Sequence, residues 1–365
     1  MSSEGPVGPA GVMPVRRSSF LRLRQWLSKW SDWRAQMARR LDRFTDKPQG
    51  RHLRRWILRL PGVDRWKLHR IFTRRYARTF GRQPNLAQPR LFTEYITHRI
   101  VYDRDPLLKL ACDKLAVREY VGRTAGSQYV APLIGAWRRV DRIDWLALPL
   151  PMVLKPNNQS GLYEIVRHLN DLDRLKSACA AWLEQDYFDR SLEWGYRGLP
   201  RRILAEPLLR APDGGSLIEV LAFTFHGQPL VLLAVTGDKR DKRRFCTANL
   251  DARGGRLDLR GTAHVIEEVL SPDQQRRFLA QVESAREEIL AAAARVGAAF
   301  PYVRVDFYIT DQGLKIGELT PYPAGGRGRY SPPDWDARLG EMLRQSATQR
   351  PRRRKLFRTV WPPLD

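Results

Sequence analysis

Apolar residues recur with one spacing near the start of the chain and with another further along. Between residues 21 and 44 they occupy every third or fourth position, while arginines fill the opposite face, which is the pattern of a basic amphipathic helix. A second arginine-rich helical pattern covers residues 54–80. These patterns predict a basic, Trp- and Arg-rich helical arm over residues 16–90. Residues 1–15 are rich in Gly, Pro and Ser and are predicted to be disordered.

From residue 91 onward, short β-branched runs alternate with longer helical patterns. This alternation predicts an α/β domain, built as α+β lobes, over residues 91–345, with a basic tail at 346–365. The short runs predict strands at residues 152–155, 202–206, 217–225, 230–236, 303–309 and 314–319. The longer patterns predict helices at residues 106–121, 171–186 and 272–297.

The positive charge of the chain lies at its two ends. The formal net charge is +25. Residues 1–90 hold 22 Lys or Arg against five Asp or Glu, and residues 350–365 hold six against one, so the 259 residues between them contribute only +3. A general bias toward arginine would raise the charge everywhere. The uneven distribution therefore predicts an anionic partner for the ends.

The identity of that anionic partner is open between several surfaces. Each Lys or Arg near an anionic leaflet contributes about 1 kcal/mol, so the Trp-rich helix could anchor the protein reversibly to a membrane. The same helix could instead dock onto the central domain. Nucleic acid is disfavoured because no recognition motif is present and the centre is nearly neutral. An anionic polysaccharide or a lipid-linked precursor is the preferred expectation.

The sequence predicts neither export nor membrane spanning. No apolar run reaches the roughly 18 residues of a membrane span, and the first 15 residues lack the pattern of a signal peptide. Cys112, Cys179 and Cys246 have no paired spacing, which argues against a disulfide framework. These features predict a cytoplasmic protein, with peripheral attachment to the inner face of the membrane as an open alternative.

A predicted hairpin at residues 303–320 carries charges in unusual places. Arg304 and Asp306 project from the polar face of the first strand, and Glu318 interrupts an apolar run on the second. Burying unpaired carboxylates costs several kcal/mol, so a bound cation such as Mg2+ would explain them. An alternative is that Asp306 and Glu318 form ion pairs with Arg304 and Lys315 across an exposed sheet.

Two lysines and a small polar loop suit phosphate contact. Lys114 lies in a helical segment, and Lys155 ends an apolar strand. The loop that follows includes Ser160 and Gly161, whose backbone N–H groups could cover phosphate oxygens. Glu206 ends a further strand and could bind an adenine or ribose edge. Solvated side chains at a turn and a strand end remain the alternative interpretation.

Together these residues make the chain resemble the ATP-grasp superfamily and, within it, the TupA-like family, which is named for teichuronopeptide synthesis. The resemblance covers about residues 90–345. Its motifs are the segments at residues 99–107, 113–121, 153–155, 301–308 and 317–320. In such enzymes ATP sits between two α+β lobes, so the resemblance implies an ATP-grasp fold that carries an N-terminal basic helical extension.

The resemblance also implies roles for particular side chains. Lys114, Lys155 and Glu206 would contact the nucleotide, and Arg304 would steady the transferred phosphoryl group. Lys155 and Arg304 would thus be the catalytic residues, acting by offsetting charge on the transferring group.

The metal ligands implied by the resemblance are Asp306 and Glu318, which would hold Mg2+. Thr320 stands where many ATP-grasp ligases have a further asparagine ligand, although threonine is usual in the TupA-like family. Two departures concern the phosphate contacts. Leu162 stands where relatives have a more glycine-rich loop, and Leu221 stands where a lysine is expected.

The implied mechanism needs no side-chain nucleophile. A substrate carboxylate attacks the γ-phosphate of ATP, and an amine then displaces phosphate from the acyl phosphate to give an amide. The expected carboxylate is a uronic acid or an amino acid, and the expected role is modification of a cell-surface polysaccharide or its precursor. Two alternatives stay open: a catalytically degenerate ATP-grasp binding protein in a membrane-associated polysaccharide assembly, and a sugar or polymer phosphotransferase.

Overall fold

The computed structural model describes residues 63–237, 245–261 and 263–348. The chain divides into two units, Met1–Lys67 and Leu68–Asp365, and both sheets belong to the second. The predicted disordered segment, most of the predicted basic arm and the predicted tail from residue 349 lie outside the described residues. Within the described part, no helix is both long enough and apolar enough to cross a membrane.

The helices of the described residues are short, apart from α1 and α8. In chain order they are α1 (Val63–Phe80), α2 (Phe92–Tyr102), α3 (Pro106–Cys112), α4 (Lys114–Thr124), α5 (Leu172–Glu184), α6 (Tyr187–Ser191), α7 (Ile266–Val269), α8 (Pro272–Gly297) and α9 (Trp335–Thr348). The start of α8 is fixed by a capping box, in which Ser271 accepts from the Gln274 backbone N–H and the Gln274 side chain accepts from that of Ser271. Such a cap contributes about 1 kcal/mol.

The strands form two separate sheets. In chain order they are β1 (Gly135–Trp137), β2 (Met152–Pro156), β3 (Glu164–Val166), β4 (Ile203–Pro207), β5 (Ile218–Phe225), β6 (Gln228–Thr236), β7 (Cys246–Asp251), β8 (His264–Val265), β9 (Tyr302–Thr310) and β10 (Gly313–Thr320). One sheet has four strands in the order β1-β4-β2-β3, and the other has six in the order β10-β9-β5-β6-β7-β8. Neighbouring strands are antiparallel except for the β7–β8 pair.

The six-stranded sheet and α8 form the larger lobe. Ile289 and Val296 of α8 are fully buried in the same apolar cluster as Val303 and Val305 of β9. Burial of an aliphatic side chain of this size contributes about 1.5–3 kcal/mol. These contacts close one face of the sheet, so the alternate side chains of β9 project from the other face.

The four-stranded sheet and α5 form the smaller lobe. Met152 and Leu154 of β2 pack into a core that includes Leu175 and Trp182 of α5. Because side chains alternate along a strand, Lys155 points away from this core. Both lobes therefore turn an apolar face to a helix and keep a polar face open, and the prediction of two α+β lobes is confirmed.

Of the elements predicted from residue 91 onward, the six strands and two of the three helices are confirmed to within two residues. The single helix predicted over residues 106–121 is wrong, because it divides at Asp113 into α3 and α4. The Asp113 carboxylate accepts from the backbone N–H groups of Leu115 at 2.9 Å and Ala116 at 3.5 Å. It therefore caps α4, and this local bond replaces a continuous helix. The predicted boundaries of the basic arm and tail remain predictions.

Candidate active site

A β-bulge at Gly317 sets the geometry of the hairpin β9–β10. The strands join through a two-residue turn, so that Thr310 pairs with Gly313. Ile316 then pairs with Phe307, but Glu318 pairs with Asp306, so Gly317 is an extra residue in β10. A bulge shifts by one position the face to which all later residues point.

The bulge places the predicted metal ligands on one face of the sheet. Beyond it, Glu318 lies opposite Asp306 and Thr320 lies opposite Arg304, so all four side chains face away from α8. Without the extra residue, Glu318 would lie opposite Val305, on the side of the apolar core.

The four side chains form a compact cluster. Arg304 donates from Nε to Asp306 Oδ1 at 2.7 Å and from Nη2 to Asp306 Oδ2 at 2.6 Å. Nη2 also lies 3.1 Å from Thr320 Oγ1 and 3.7 Å from Glu318 Oε1. The Thr320 hydroxyl is 3.4 Å from Asp306 Oδ2 and 3.3 Å from Glu318 Oε1. Three oxygen-bearing side chains thus converge beside one guanidinium.

Burial dominates the electrostatics of this cluster. It raises the pKa of Asp306 to about 7, against the opposing effect of the adjacent Arg304 guanidinium. Burial alone would lower the pKa of Arg304, but Asp306 and Glu318 together raise it. Arg304 therefore stays protonated, and the bidentate geometry favours an ionised Asp306.

The donor set fits Mg2+ bound together with a nucleotide. Carboxylate and hydroxyl oxygens are its preferred ligands, and it is usually held by one or two carboxylates plus substrate phosphates. Among the described residues, no group of three or more His, Cys, Asp or Glu side chains could hold a metal by itself. Asp306, Glu318 and Thr320 therefore suit an ion whose remaining ligands come from phosphate.

The alternative of ion pairs across an exposed sheet holds only for Arg304. Lys315 does not pair with Glu318, because its Nζ donates to the Gln128 carbonyl at 2.7 Å. Lys315 is buried in this contact. Asp306 is also buried, at 5% exposure, so this face of the sheet is not a solvated surface.

Lys155 and Glu206 meet on the open face of the smaller lobe. Lys155 Nζ lies 2.6 Å from Glu206 Oε2, and Arg118 of α4 lies 3.2 Å from Glu206 Oε1. All three side chains are at most 16% exposed. The sequence interpretation missed Arg118, although it lies one turn after Lys114 and so on the same face of α4.

Lys114 lies between the two groups of residues. Its Nζ donates to the Gln159 carbonyl at 2.5 Å and lies 3.7 Å from Glu318 Oε2. Burial lowers its pKa, and the Glu318 carboxylate opposes that effect. Lys114 thus connects the loop after β2 to the Glu318 carboxylate of β10, which is where the phosphates of a nucleotide between the lobes would lie.

The loop after β2 is anchored at its start and open at its end. Asn157 is fully buried. It donates to Asp113 Oδ1 at 2.8 Å and to the Pro200 carbonyl at 2.9 Å, and its own Oδ1 accepts from the Arg202 backbone N–H at 2.8 Å. Ser160 and Gly161, by contrast, are exposed.

Replacing Asn157 by Ala is expected to lower the free energy of unfolding by about 2–4 kcal/mol, because it leaves buried partners without their hydrogen bonds. Chemical denaturation measures this change. Ser160→Ala in the same loop serves as the control and should change stability by less than about 0.5 kcal/mol. Equal stability of the two variants would contradict the anchoring role of Asn157.

Part of the predicted site surrounds a cavity of about 520 Å³. Of the predicted residues, those that line it are Lys114, Ser160, Arg304, Glu318 and Thr320. The lining does not include Lys155, Gly161, Glu206 or Asp306, of which Asp306 lies behind Arg304 and Lys155 pairs with Glu206.

The cavity also contains charged residues that the sequence interpretation missed. These are Arg75, Arg190, Glu193 and Arg327. They come from three stretches that lie far apart in the sequence, and no motif joins them. Only the fold brings them together.

The two departures from the family pattern have distinct structural settings. Leu221 pairs directly with Asp306 across β5 and β9, so the position of the expected lysine adjoins the carboxylate cluster. Leu162 is partly buried and packs against the apolar core of the smaller lobe. Leu162 therefore has a packing role, whereas Leu221 puts an apolar side chain at the position where a lysine is expected.

Two lobes, each a sheet backed by a helix, with lysines and paired carboxylates on their open faces, define the ATP-grasp class of fold. A model of the TupA-like ATP-grasp family matches residues 94–344. The chain therefore belongs to the TupA-like ATP-grasp family, as its motifs indicated. No curated protein matches the chain.

Several solved structures are similar to the chain at low sequence identity. L-amino acid ligase from Bacillus licheniformis shares 13% identity with a TM-score of 0.36, over 60% of this chain and 44% of that chain. D-alanine–D-alanine ligase from Bacillus anthracis, complexed with ATP, shares 17% identity with a TM-score of 0.36, over 67% and 68%. N5-carboxyaminoimidazole ribonucleotide synthetase from Thermus thermophilus shares 15% with a TM-score of 0.34, over 60% and 48%. The chain thus spans less than half of the first of these proteins.

Proposed function

We infer that the protein is an ATP- and Mg2+-dependent carboxylate–amine ligase that acts through an acyl phosphate. The observation that carries this proposal is the cluster of Arg304, Asp306, Glu318 and Thr320. All of these except Asp306 line the cavity together with Lys114. Two carboxylates beside two fixed cations suit a metal-bound polyphosphate, whose negative charge the cations offset.

In the proposed phosphoryl transfer, the lysines, the arginine and the oxygen ligands have separate roles. Lys155 and Lys114 bind and orient the phosphates, and Arg304 stabilises the charge that develops on the transferred group. Asp306, Glu318 and Thr320 would hold Mg2+, which when bound neutralises phosphate charge and orients the γ-phosphoryl group.

We further propose that the ligase modifies a cell-surface polysaccharide or its precursor. Membership of a family named for teichuronopeptide synthesis supports this substrate class, and so does the concentration of positive charge in residues 1–90 and 350–365. A uronic acid or an amino acid is the proposed carboxylate. The proposed place of action is the cytoplasm, with the basic arm attached to the inner face of the membrane or to an anionic polysaccharide.

A second candidate function is nucleotide-independent binding by a degenerate ATP-grasp domain. It is favoured by Leu221, which places an apolar side chain opposite Asp306 where the family resemblance leads us to expect a lysine. A third, phosphorylation of a sugar or polymer, uses the same nucleotide site. Detection of an amide product separates ligation from phosphorylation.

Calorimetric titration with a non-hydrolysable ATP analogue tests the nucleotide site. We expect binding that depends on Mg2+ and that weakens about 10- to 100-fold in Lys155→Ala and in Asp306→Asn, since each loses a charged contact to phosphate or to the metal. Arg276→Ala, which removes an exposed arginine on α8, is the control. Absence of binding by the intact protein would favour the degenerate domain instead.

A further inference from the structure

Part of the cavity is lined by charged residues that the nucleotide and metal assignments do not use. Arg75 belongs to α1, Arg190 to α6, Glu193 to the segment after α6, and Arg327 to the segment after β10. The same cavity contains Glu318, Arg304 and Thr320. A group bound among these charges therefore shares one continuous space with the carboxylate cluster.

Glu193 is the anionic member of this group. It is partly buried, and burial raises its pKa to about 7, with Arg327 and Arg75 acting in the opposite direction. Its Oε1 lies only 3.1 Å from the position that a Cβ on Gly325 would occupy. The carboxylate therefore lies next to the backbone of Gly325, where no side chain intervenes. The φ of Gly325 is +58°, a conformation that favours glycine.

The arginines offer the opposite chemistry. Arg190 and Arg327 are exposed and line the cavity. Guanidinium groups bind carboxylate and phosphate oxygens in bidentate geometry. The Glu193 carboxylate, which lines the same cavity, suits an ammonium group. Because the arginines and the carboxylate line the same cavity, the cavity suits a molecule that carries both an anionic group and an ammonium group.

We propose that these residues form the acceptor subsite and that the amine substrate is itself an anion. Its ammonium group binds Glu193, and its own carboxylate or phosphate binds Arg190 and Arg327. This inference rests on the proposed ligase function and names the class of its second substrate. A neutral amine would leave the arginines without a partner.

The placement also serves the chemical step. Glu193 accepts one proton from the ammonium, which frees the nitrogen lone pair. The nitrogen then bonds to the acyl carbon, the carbon–oxygen bond to phosphate breaks, and phosphate leaves with that electron pair and takes up the second proton. No oxidant, reductant or further reactant is needed.

Ligand-observed saturation-transfer NMR tests the subsite directly. The protein is loaded with Mg2+ and a non-hydrolysable ATP analogue and is given four probes in turn: a pool of L-amino acids, the matched pool of α-amides, the matched pool of N-acetyl amino acids, and O-phosphoethanolamine. We expect signals from amino acids, from O-phosphoethanolamine or from both, which identifies the anion as carboxylate or phosphate. Equal signals from the amides, or no signal from either anionic amine, would overturn the proposal.

Variants show where the probe binds. Glu193→Gln and Arg190→Ala should each weaken the binding of the anionic amine about tenfold, because each removes one charged partner. Gly325→Ala should weaken it too, since its methyl group would crowd the Glu193 carboxylate. Arg276→Ala should have no effect. If both Glu193→Gln and Arg190→Ala bind the anionic amine as tightly as the unmodified protein, the proposed subsite is wrong.

The nucleotide affinity of the same samples separates the two proposals. If the protein binds the nucleotide but shows no preference for anionic amines, the acceptor subsite is contradicted and the ligase function is not. Anionic amines that bind while the nucleotide does not contradict the ligase function and leave the subsite as a binding site.

Discussion

Glu318→Gln should lower Mg-ATP turnover by about a hundred- to a thousandfold while the protein remains folded. The substitution keeps the shape of the side chain and removes its charge, which lies 3.7 Å from both Arg304 and Lys114. It also removes a proposed metal ligand, and loss of one preorganised electrostatic contact to the transition state costs about this much. Phosphate release measures the change, and thermal unfolding confirms that the fold is intact.

Glu283→Gln is the matched control, since Glu283 is an exposed carboxylate on α8 that pairs with Arg286. Its turnover should equal that of the unmodified protein. Full activity of Glu318→Gln would refute the assignment of the carboxylate cluster as the metal site.

Gly317→Ala should impair both stability and turnover, because the added Cβ would lie 2.4 Å from Cε2 of Tyr308. Either the Tyr308 ring moves or the bulge opens, and both displace the adjacent Glu318. We expect a loss of about 1–3 kcal/mol in the free energy of unfolding. Turnover should fall at least about tenfold, since small misplacement of catalytic groups is costly. Denaturation and phosphate release measure the two effects.

A double-mutant cycle with Tyr308→Ala tests the cause. Removal of the ring should relieve the clash, so the double variant should be more stable than the sum of the single effects predicts. Gly261→Ala is the control, because a Cβ at Gly261 meets no atom within 4 Å. Strict additivity would show that the contact with Tyr308 is not the reason for the effect.

The bulge illustrates what the sequence pattern could and could not predict. Alternation along β9 placed Arg304 and Asp306 on one face. On β10, however, strict alternation from Leu314 and Ile316 would have put Glu318 in the core with them. Leu319 follows Ile316 by three positions rather than two, with a glycine between them. This change of phase is the signal of a bulge, and it became interpretable only once the strand partner was known.

The other contacts of the site that the sequence did not predict all join residues that are far apart in the chain. Lys155 reaches Glu206 because β2 pairs with β4, a strand that lies beyond β3 and α5 in the chain. Glu193 lines the same cavity as Arg75 and Arg327, although each arginine lies more than 100 residues from it in the sequence. Periodicity reports which face of an element is buried, and it carries no information on which polar faces meet. The family motifs indicated the proposed nucleotide residues, but not the charges of the proposed acceptor subsite.

The anchoring of Asn157 has a mechanical consequence. Asn157 belongs to the smaller lobe, and its amide reaches Asp113, the cap of α4 in the larger lobe, while the Lys114 backbone N–H donates to the Asn157 carbonyl at 2.9 Å. This double attachment joins the loop after β2 to the start of α4, so we expect the two segments to move as one unit. The ion pair between Arg118 and Glu206 is a second link between α4 and the smaller lobe, so Lys114, Lys155 and Glu206 should keep their relative positions.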